Sequence, residues 1–123
     1  MEKNCDFQTK LDQSYSMQYD FERKIDDLSK NYRKLQNIQE NVMESQGKAL
    51  YNFKEILSLK LSSSDKMFYQ DLIDEIDADT RKMEYSFEEE LLEMKKQSKI
   101  YQEKLDHLLD DRKKILKELK KES

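Results

Sequence analysis

The sequence contains no proline, no tryptophan and only one glycine, Gly47, among its 123 residues. Average usage of about 7% Gly and 5% Pro would supply about fifteen of these turn-forming residues. Their scarcity argues against β-sheets, βαβ units and Gly-rich phosphate loops, which all depend on such turns. No run approaches the roughly 20 apolar residues of a membrane span, so we expect no membrane insertion.

Cysteine is almost absent as well. Because Cys5 is the only one, no internal disulfide bond can form. Residues 1–6 lack the apolar stretch of a secretory signal peptide, and we therefore expect a cytoplasmic protein. Cys5 is either an inert thiol near a fraying terminus or the site of an intermolecular crosslink.

Charge is abundant. Charged residues make up 41% of the chain and hydrophobic ones 36%, and 27 acids nearly balance 23 bases. Disordered chains are also highly charged, but they are usually rich in proline and poor in aromatics, which reach 10% here. The composition is typical of long helices with one wet face.

Apolar residues recur along both halves of the chain at alternating spacings of three and four. This spacing keeps side chains on one stripe of a helix, whereas a strand needs a period of two. It predicts helices over about 6–60 and 64–120. The first seam comprises Leu11, Ser14, Gln18, Phe21, Ile25, Leu28, Tyr32, Leu35, Gln39, Val42, Gln46, Ala49, Phe53 and Ile56. The second seam comprises Leu72, Ile76, Thr80, Met83, Phe87, Leu91, Met94, Ser98, Tyr101, Leu105, Leu108, Arg112, Ile115 and Leu119.

A serine-rich segment, residues 61–65, separates the two predicted helices. Ser62 followed by Asp65 fits the Ser/Thr-x-x-Asp/Glu pattern of a helix start. We therefore predict an all-α fold, an antiparallel coiled-coil-like hairpin that forms one domain over 1–123 and turns near 61–65. Gly47 is a competing break, but a single exposed helix glycine costs only about 1 kcal/mol. In this hairpin, a residue of the first helix should face the residue of the second helix for which the two numbers add up to about 126.

Further apolar residues flank both seams and widen each stripe beyond what a lone hairpin can cover. Because large exposed apolar strips mark interaction sites, we expect a partner, either a different chain or a second copy. The flanking residues are Tyr15, Met17, Tyr19, Ile38, Met43, Leu50, Leu57, Phe68, Tyr69, Ile73, Tyr85, Leu92, Ile100, Leu109 and Leu116.

The longest apolar stretches of the two seams should lie at the same level, and we predict that this level is the main partner-binding segment. Polar seam positions weaken a seam but can set its register and its choice of partner. They are Ser14, Gln18, Gln39, Gln46, Thr80, Ser98 and Arg112. The predicted interface residues are Phe21, Ile25, Leu28, Tyr32, Leu35, Leu91, Met94, Tyr101, Leu105 and Leu108.

Charge is unevenly distributed along the second half. Residues 71–93 hold ten acids against two bases, and residues 112–123 hold six bases against two acids. Acids near the start of a helix and bases near its end complement the helix dipole, so most of this pattern indicates a solvated face. The basic tail has no interleaved aromatics and the pI is near 5.2, so we expect no nucleic-acid partner.

Catalytic constellations are missing. His107 is the only histidine, and a di-iron bundle needs Glu-x-x-His on two helices. Asp71, Asp74, Asp77 and Asp79 lack the glycine of a calcium loop. With a single cysteine and no turn glycines, nucleophilic chemistry has no platform. We expect a non-enzymatic protein without metal or cofactor.

From Phe53 to Leu116 the chain resembles the LXG-associated α-helical proteins, which are encoded beside LXG toxins of the type VIIb secretion system in Gram-positive bacteria. The resemblance covers roughly half of the chain. It rests on Phe53-Lys-Glu-Ile56, Phe68-Tyr69, Asp74-Glu75, Arg81-Lys82-Met83-Glu84, Glu90-Leu91-Leu92-Glu-Met-Lys-Lys and Asp111-Arg112-Lys-Lys-Ile-Leu116.

The resemblance implies a helical hairpin akin to WXG-type partners, which binds the helical N-terminal domain of an LXG toxin beside a second small helical protein and targets it for export. Whether this chain is co-secreted with the toxin is left open. The chain departs from that family in having serines where its turn can carry a Trp-x-Gly-like element. We assign no export signal, because the aromatic-acid spacings at Tyr51–Glu55 and Tyr85–Glu89 occur at chance frequency inside predicted helices. The alternative is a homodimeric coiled-coil scaffold or spacer.

Overall fold

The computed structural model describes the backbone of residues 2–122 and the side chains of residues 5–121. It contains two helices, α1 (Glu2–Leu57) and α2 (Ser63–Glu122), and no strand in the described part of the chain. The helices pack against each other, which confirms the predicted all-α hairpin. α1 runs through Gly47 without a break.

The end of α1 lies three residues before the expected residue 60. The backbone N–H of Ser58 donates to the carbonyls of both Lys54 and Glu55, at 3.2 and 3.1 Å, and the Ser58 hydroxyl donates to Glu55 O at 2.6 Å. These bonds tighten the last turn and satisfy carbonyls that a continuing helix would use. The connection therefore spans 58–62 rather than lying near 61–65.

The start of α2 has the N-cap that the sequence predicts. The backbone N–H of Asp65 donates to Ser62 Oγ at 3.1 Å, and that of Lys66 donates to Ser62 O at 3.0 Å. A serine hydroxyl that accepts from the third residue of the helix satisfies one of its unpaired first-turn donors. Ser62 therefore fixes where the second helix begins.

The contacts of the hairpin group into two compact units. The terminal unit comprises Met1–Asn31 and Glu93–Ser123, and the turn unit comprises Tyr32–Leu92. Each unit pairs a part of α1 with a part of α2. The expectation of a single domain over 1–123 remains an expectation.

Both seams lie between the helices. All fourteen positions of the first seam and thirteen of the second are buried or half-buried, and the exception is Met83, which is 39% exposed. The second seam steps by four twice in succession from Met83 to Phe87 to Leu91. The same two steps occur from Leu72 to Ile76 to Thr80, where all three side chains stay half-buried, so the spacing alone does not account for the exposure of Met83.

Candidate partner-binding surfaces

A buried polar layer crosses the terminal unit. Arg112 Nε donates to Ser14 Oγ at 2.9 Å, and the guanidinium carbon lies 4.0 Å from the centroid of the Tyr15 ring. Ser14 is 5% and Arg112 9% exposed, and Arg112 Nη2 is buried without a hydrogen-bond partner among the described residues. An unpaired buried donor costs about 1–3 kcal/mol, so this layer gives up stability for a defined pairing.

A second polar layer crosses the turn unit. Gln46 Nε2 donates to Thr80 Oγ1 at 3.0 Å, and the Thr80 hydroxyl donates to Ile76 O at 2.7 Å. In both layers the numbers of the paired residues add up to 126. The predicted register is therefore confirmed within each unit, and the polar seam residues are the side chains that mark it.

The ten predicted interface residues all lie in the seams. Leu91 and Leu105 are buried, and the other eight are half-buried. In the terminal unit the rings of Phe21 and Tyr101 lie 6.2 Å apart between their centroids, and Lys24 Nζ lies 5.0 Å from the Tyr101 ring centroid. The burial of the ten residues follows from the pairing of the two helices within the hairpin, and their contact with a partner chain stays a prediction.

The core of the hairpin is thin. Only Leu11, Ile73, Leu91 and Leu105 are buried apolar residues among the described side chains, and none of the described side chains is less than 2% exposed. The chain exposes 9851 Å² of surface. A compact monomer of this mass would expose roughly 7,000 Å². The chain therefore leaves more surface in contact with water than a compact monomer of its mass would.

Large apolar side chains are exposed on both units. Of the fifteen flanking residues named above, nine are exposed and six are covered, so the lone hairpin leaves most of them in water. The terminal unit exposes Tyr15, Met17, Tyr19, Ile100 and Leu116. The turn unit exposes Ile38, Tyr51, Leu59, Met67, Phe68, Met83, Tyr85 and Leu92.

Each unit also has an open groove on α2 that sequence reasoning missed. Four residues of each groove are spaced i, i+3, i+4 and i+7, the arrangement of a coiled-coil hole that receives a knob from another helix. The sequence held a signal for each groove: the successive four-residue steps from Met83 to Leu91 for the groove of the turn unit, and the basic run at 112–123 for the groove of the terminal unit. The groove of the turn unit, about 290 Å³, is lined by Lys82, Met83, Ser86, Phe87 and Glu90. The groove of the terminal unit, about 550 Å³, is lined by Lys113, Leu116, Lys117, Leu119 and Lys120.

Tyr85 is an exposed aromatic side chain with an acidic neighbour, Glu89. Its hydrogen bond to Glu89 raises the pKa of the Tyr85 hydroxyl, and the negative charge of Glu89 acts in the same direction. Both effects disfavour a phenolate beside a carboxylate. The Tyr85 side chain is therefore an apolar ring, 64% exposed, whose hydroxyl lies beside the carboxylate of Glu89.

The described residues contain no group of three or more His, Cys, Asp or Glu side chains placed to hold a metal ion. Although both described helices are long, neither has a stretch apolar enough to cross a membrane. Cys5, the one cysteine, is exposed.

Comparison with known proteins adds no relative: no protein family, no curated protein and no solved structure matches this chain.

Proposed function

We propose that this protein is a non-enzymatic helical adaptor that binds the helical N-terminal domain of an LXG toxin, together with a second small helical protein, and prepares it for type VIIb export. The observation that carries the proposal is the thin core, with four buried apolar residues and eight half-buried members of the predicted interface. The resemblance between Phe53 and Leu116 supplies the kind of partner. Nucleic acid and membrane are not part of the proposal.

Burial of the seam residues explains how a partner helix would bind. Fully burying a Leu, Ile or Phe side chain is worth about 1.5–3 kcal/mol relative to full exposure. A helix laid along Phe21, Ile25 and Leu28 would bury the part of each side chain that α2 leaves uncovered. Several such increments together offset the entropy that the partner loses on binding.

Co-purification tests the adaptor. The chain is co-expressed with the N-terminal domain of an LXG toxin and a second small helical protein from a neighbouring gene. Leu28→Glu should abolish the complex, because it places an unpaired carboxylate against an apolar helix. Gln36→Glu, at an exposed position of the same helix, should leave it intact.

Circular dichroism of each isolated variant separates loss of binding from loss of folding. If Leu28→Glu is itself unfolded, Leu28→Ala provides the milder test, since it removes contact area without adding a charge. Normal co-purification of both Leu28 variants would refute this interface.

A second candidate function is a homodimeric scaffold, and the same thin core favours it. A scaffold should be a sharp dimer that is insensitive to salt and melts at high temperature. An adaptor should be poorly stable alone and gain stability with its partner, since binding to the native state alone stabilises that state. Thermal melts with and without the toxin domain distinguish the two.

A further inference from the structure

Besides its seam, α2 carries a second heptad stripe on its surface. The residues of this outer stripe alternate spacings of three and four, and all are exposed except the half-buried Leu109. None of them belongs to the ten residues of the predicted interface. The outer stripe comprises Tyr85, Glu88, Leu92, Lys95, Lys99, Gln102, Asp106, Leu109, Lys113, Leu116 and Lys120.

We propose that the outer stripe binds a second copy of this chain, with the two α2 helices antiparallel. The register is the one in which the numbers of facing residues add up to 201. Tyr85 then faces Leu116 of the second copy, and Leu92 faces Leu109. Apolar residues therefore meet apolar residues at two levels, and a twofold axis repeats both contacts.

The charged levels of the outer stripe are complementary in the same register. Glu88 faces Lys113 of the second copy, and Lys95 faces Asp106. The remaining level places Lys99 opposite the neutral Gln102. No level between Tyr85 and Leu116 brings two like charges together. At the end of the stripe Lys120 faces Arg81 of the second copy, whose guanidinium is already paired with Asp77 of its own helix at 3.1 Å.

Registers displaced by one heptad lose this complementarity. A shift in one direction places Lys95 opposite Lys113 of the second copy. A shift in the other direction places Glu88 opposite Asp106 and Lys95 opposite Lys99. Like charges that face each other are unfavourable, so the charge order of the outer stripe selects one register.

The groove of the terminal unit supports the same pairing. It has a volume of about 550 Å³, with Leu116 in its lining and lysines at positions 113, 117 and 120. Leu116 stands at the level of Tyr85 from the second copy. The exposed Tyr85 ring would enter as a knob, and the Glu89 carboxylate bonded to its hydroxyl would arrive beside the lysines.

Sedimentation of the full-length chain tests the proposal. We expect a dimer that dissociates as salt is raised, because its charged pairs lie near the surface. Leu92→Glu should weaken the dimer by tenfold or more, a loss of about 1.4 kcal/mol. Ile38→Glu on α1 is the matched control, since Ile38 is 51% and Leu92 53% exposed, and it should leave the dimer intact.

A charge swap then tests the register. Glu88→Lys and Lys113→Glu should each weaken the dimer, and the two together should restore it because the pair is reversed. Three results would overturn the proposal. The wild type could stay monomeric up to millimolar concentration, Leu92→Glu and Ile38→Glu could weaken the dimer equally, or the double variant could dimerise more weakly than both single variants. The proposed toxin interface uses other residues, so the outcome of this test does not decide the outcome of the co-purification test of the adaptor.

Discussion

The terminal unit and the turn unit are built from the same heptad repeat but divide their polar and apolar groups differently. The terminal unit buries two polar side chains, Ser14 and Arg112, beside Leu11 and Leu105. The turn unit buries only the apolar Ile73 and Leu91. One heptad pattern therefore produces two kinds of packing. In the terminal unit a specific polar pair is buried, whereas in the turn unit the polar pair of Gln46 and Thr80 is only half-buried.

Charge and exposed apolar surface differ in the same way. The terminal unit has fifteen bases and fourteen acids, whereas the turn unit has eight bases and thirteen acids. The turn unit also exposes eight large apolar side chains against five in the terminal unit. An acidic unit with exposed aromatics and a nearly neutral unit with a lysine-lined groove offer different surfaces to a partner.

The largest expected effects come from a charge in either core. Leu105 is 7% and Leu91 9% exposed, so Glu at either position buries an unpaired carboxylate and should lower the free energy of unfolding by several kcal/mol. Hydrogen exchange should show that Leu105→Glu removes amide protection mainly from the terminal unit. Leu91→Glu should remove it mainly from the turn unit.

Gln102→Glu, at an exposed position of α2, is the control and should change protection little. Loss of protection over the whole chain with either leucine variant would show that the two units unfold as one cooperative body, and the comparison between them would then lose its energetic meaning.

A smaller effect separates the two polar layers. Ser14→Ala leaves Arg112 Nε without its acceptor and should lower the free energy of unfolding by about 1–3 kcal/mol. Thr80→Val in the half-buried layer of the turn unit should cost less, because water can still reach Gln46. Urea unfolding measures both changes.

The double variant Ser14→Ala and Arg112→Leu replaces the whole polar pair by apolar groups. It should be at least as stable as the wild type, since removing both partners leaves no buried donor unpaired. A double variant as unstable as Ser14→Ala alone would mean that Arg112 stabilises the unit through its Tyr15 contact instead.

The smallest expected effect belongs to the turn unit. A Cβ atom added at Gly47 would meet no other atom within 4 Å. Gly47→Ala should therefore raise the free energy of unfolding by about 0.5–1 kcal/mol through helix propensity alone. A decrease in the urea midpoint would contradict the open surroundings of this position.

The sequence predicted the parts of the fold that depend on local spacing. The heptad placed both seams, the Ser62–Asp65 pattern placed the start of α2, and the register followed from two helices of similar length. Each of these depends on residues a few positions apart or on counting from the turn. The hydrogen bonds between Ser14 and Arg112 and between Gln46 and Thr80 confirm the register obtained by this counting within each unit.

Features that depend on three-dimensional packing were not predicted. The end of α1 is decided by the Ser58 side chain competing for the Glu55 carbonyl, which spacing does not reveal. Met83 belongs to the heptad yet turns outwards, and the Tyr15 ring against Arg112 arises across the two helices. Both grooves are lined by α2 alone, and they can be recognised only once it is known which face of α2 the first helix leaves uncovered.

The Ser14–Arg112 layer has a consequence for folding kinetics. Because the heptads repeat, the two helices can also pair in a register shifted by seven residues. Such misaligned hairpins are kinetic traps, since their helices must separate before the chain can reach its native state. In such misaligned pairings Arg112 would face Phe7 or Phe21, and neither ring offers a hydrogen-bond acceptor. We therefore expect the wild type to refold from urea with a single exponential phase. In the double variant Ser14→Ala and Arg112→Leu, misaligned hairpins should approach the native one in stability, and an additional slow refolding phase should appear.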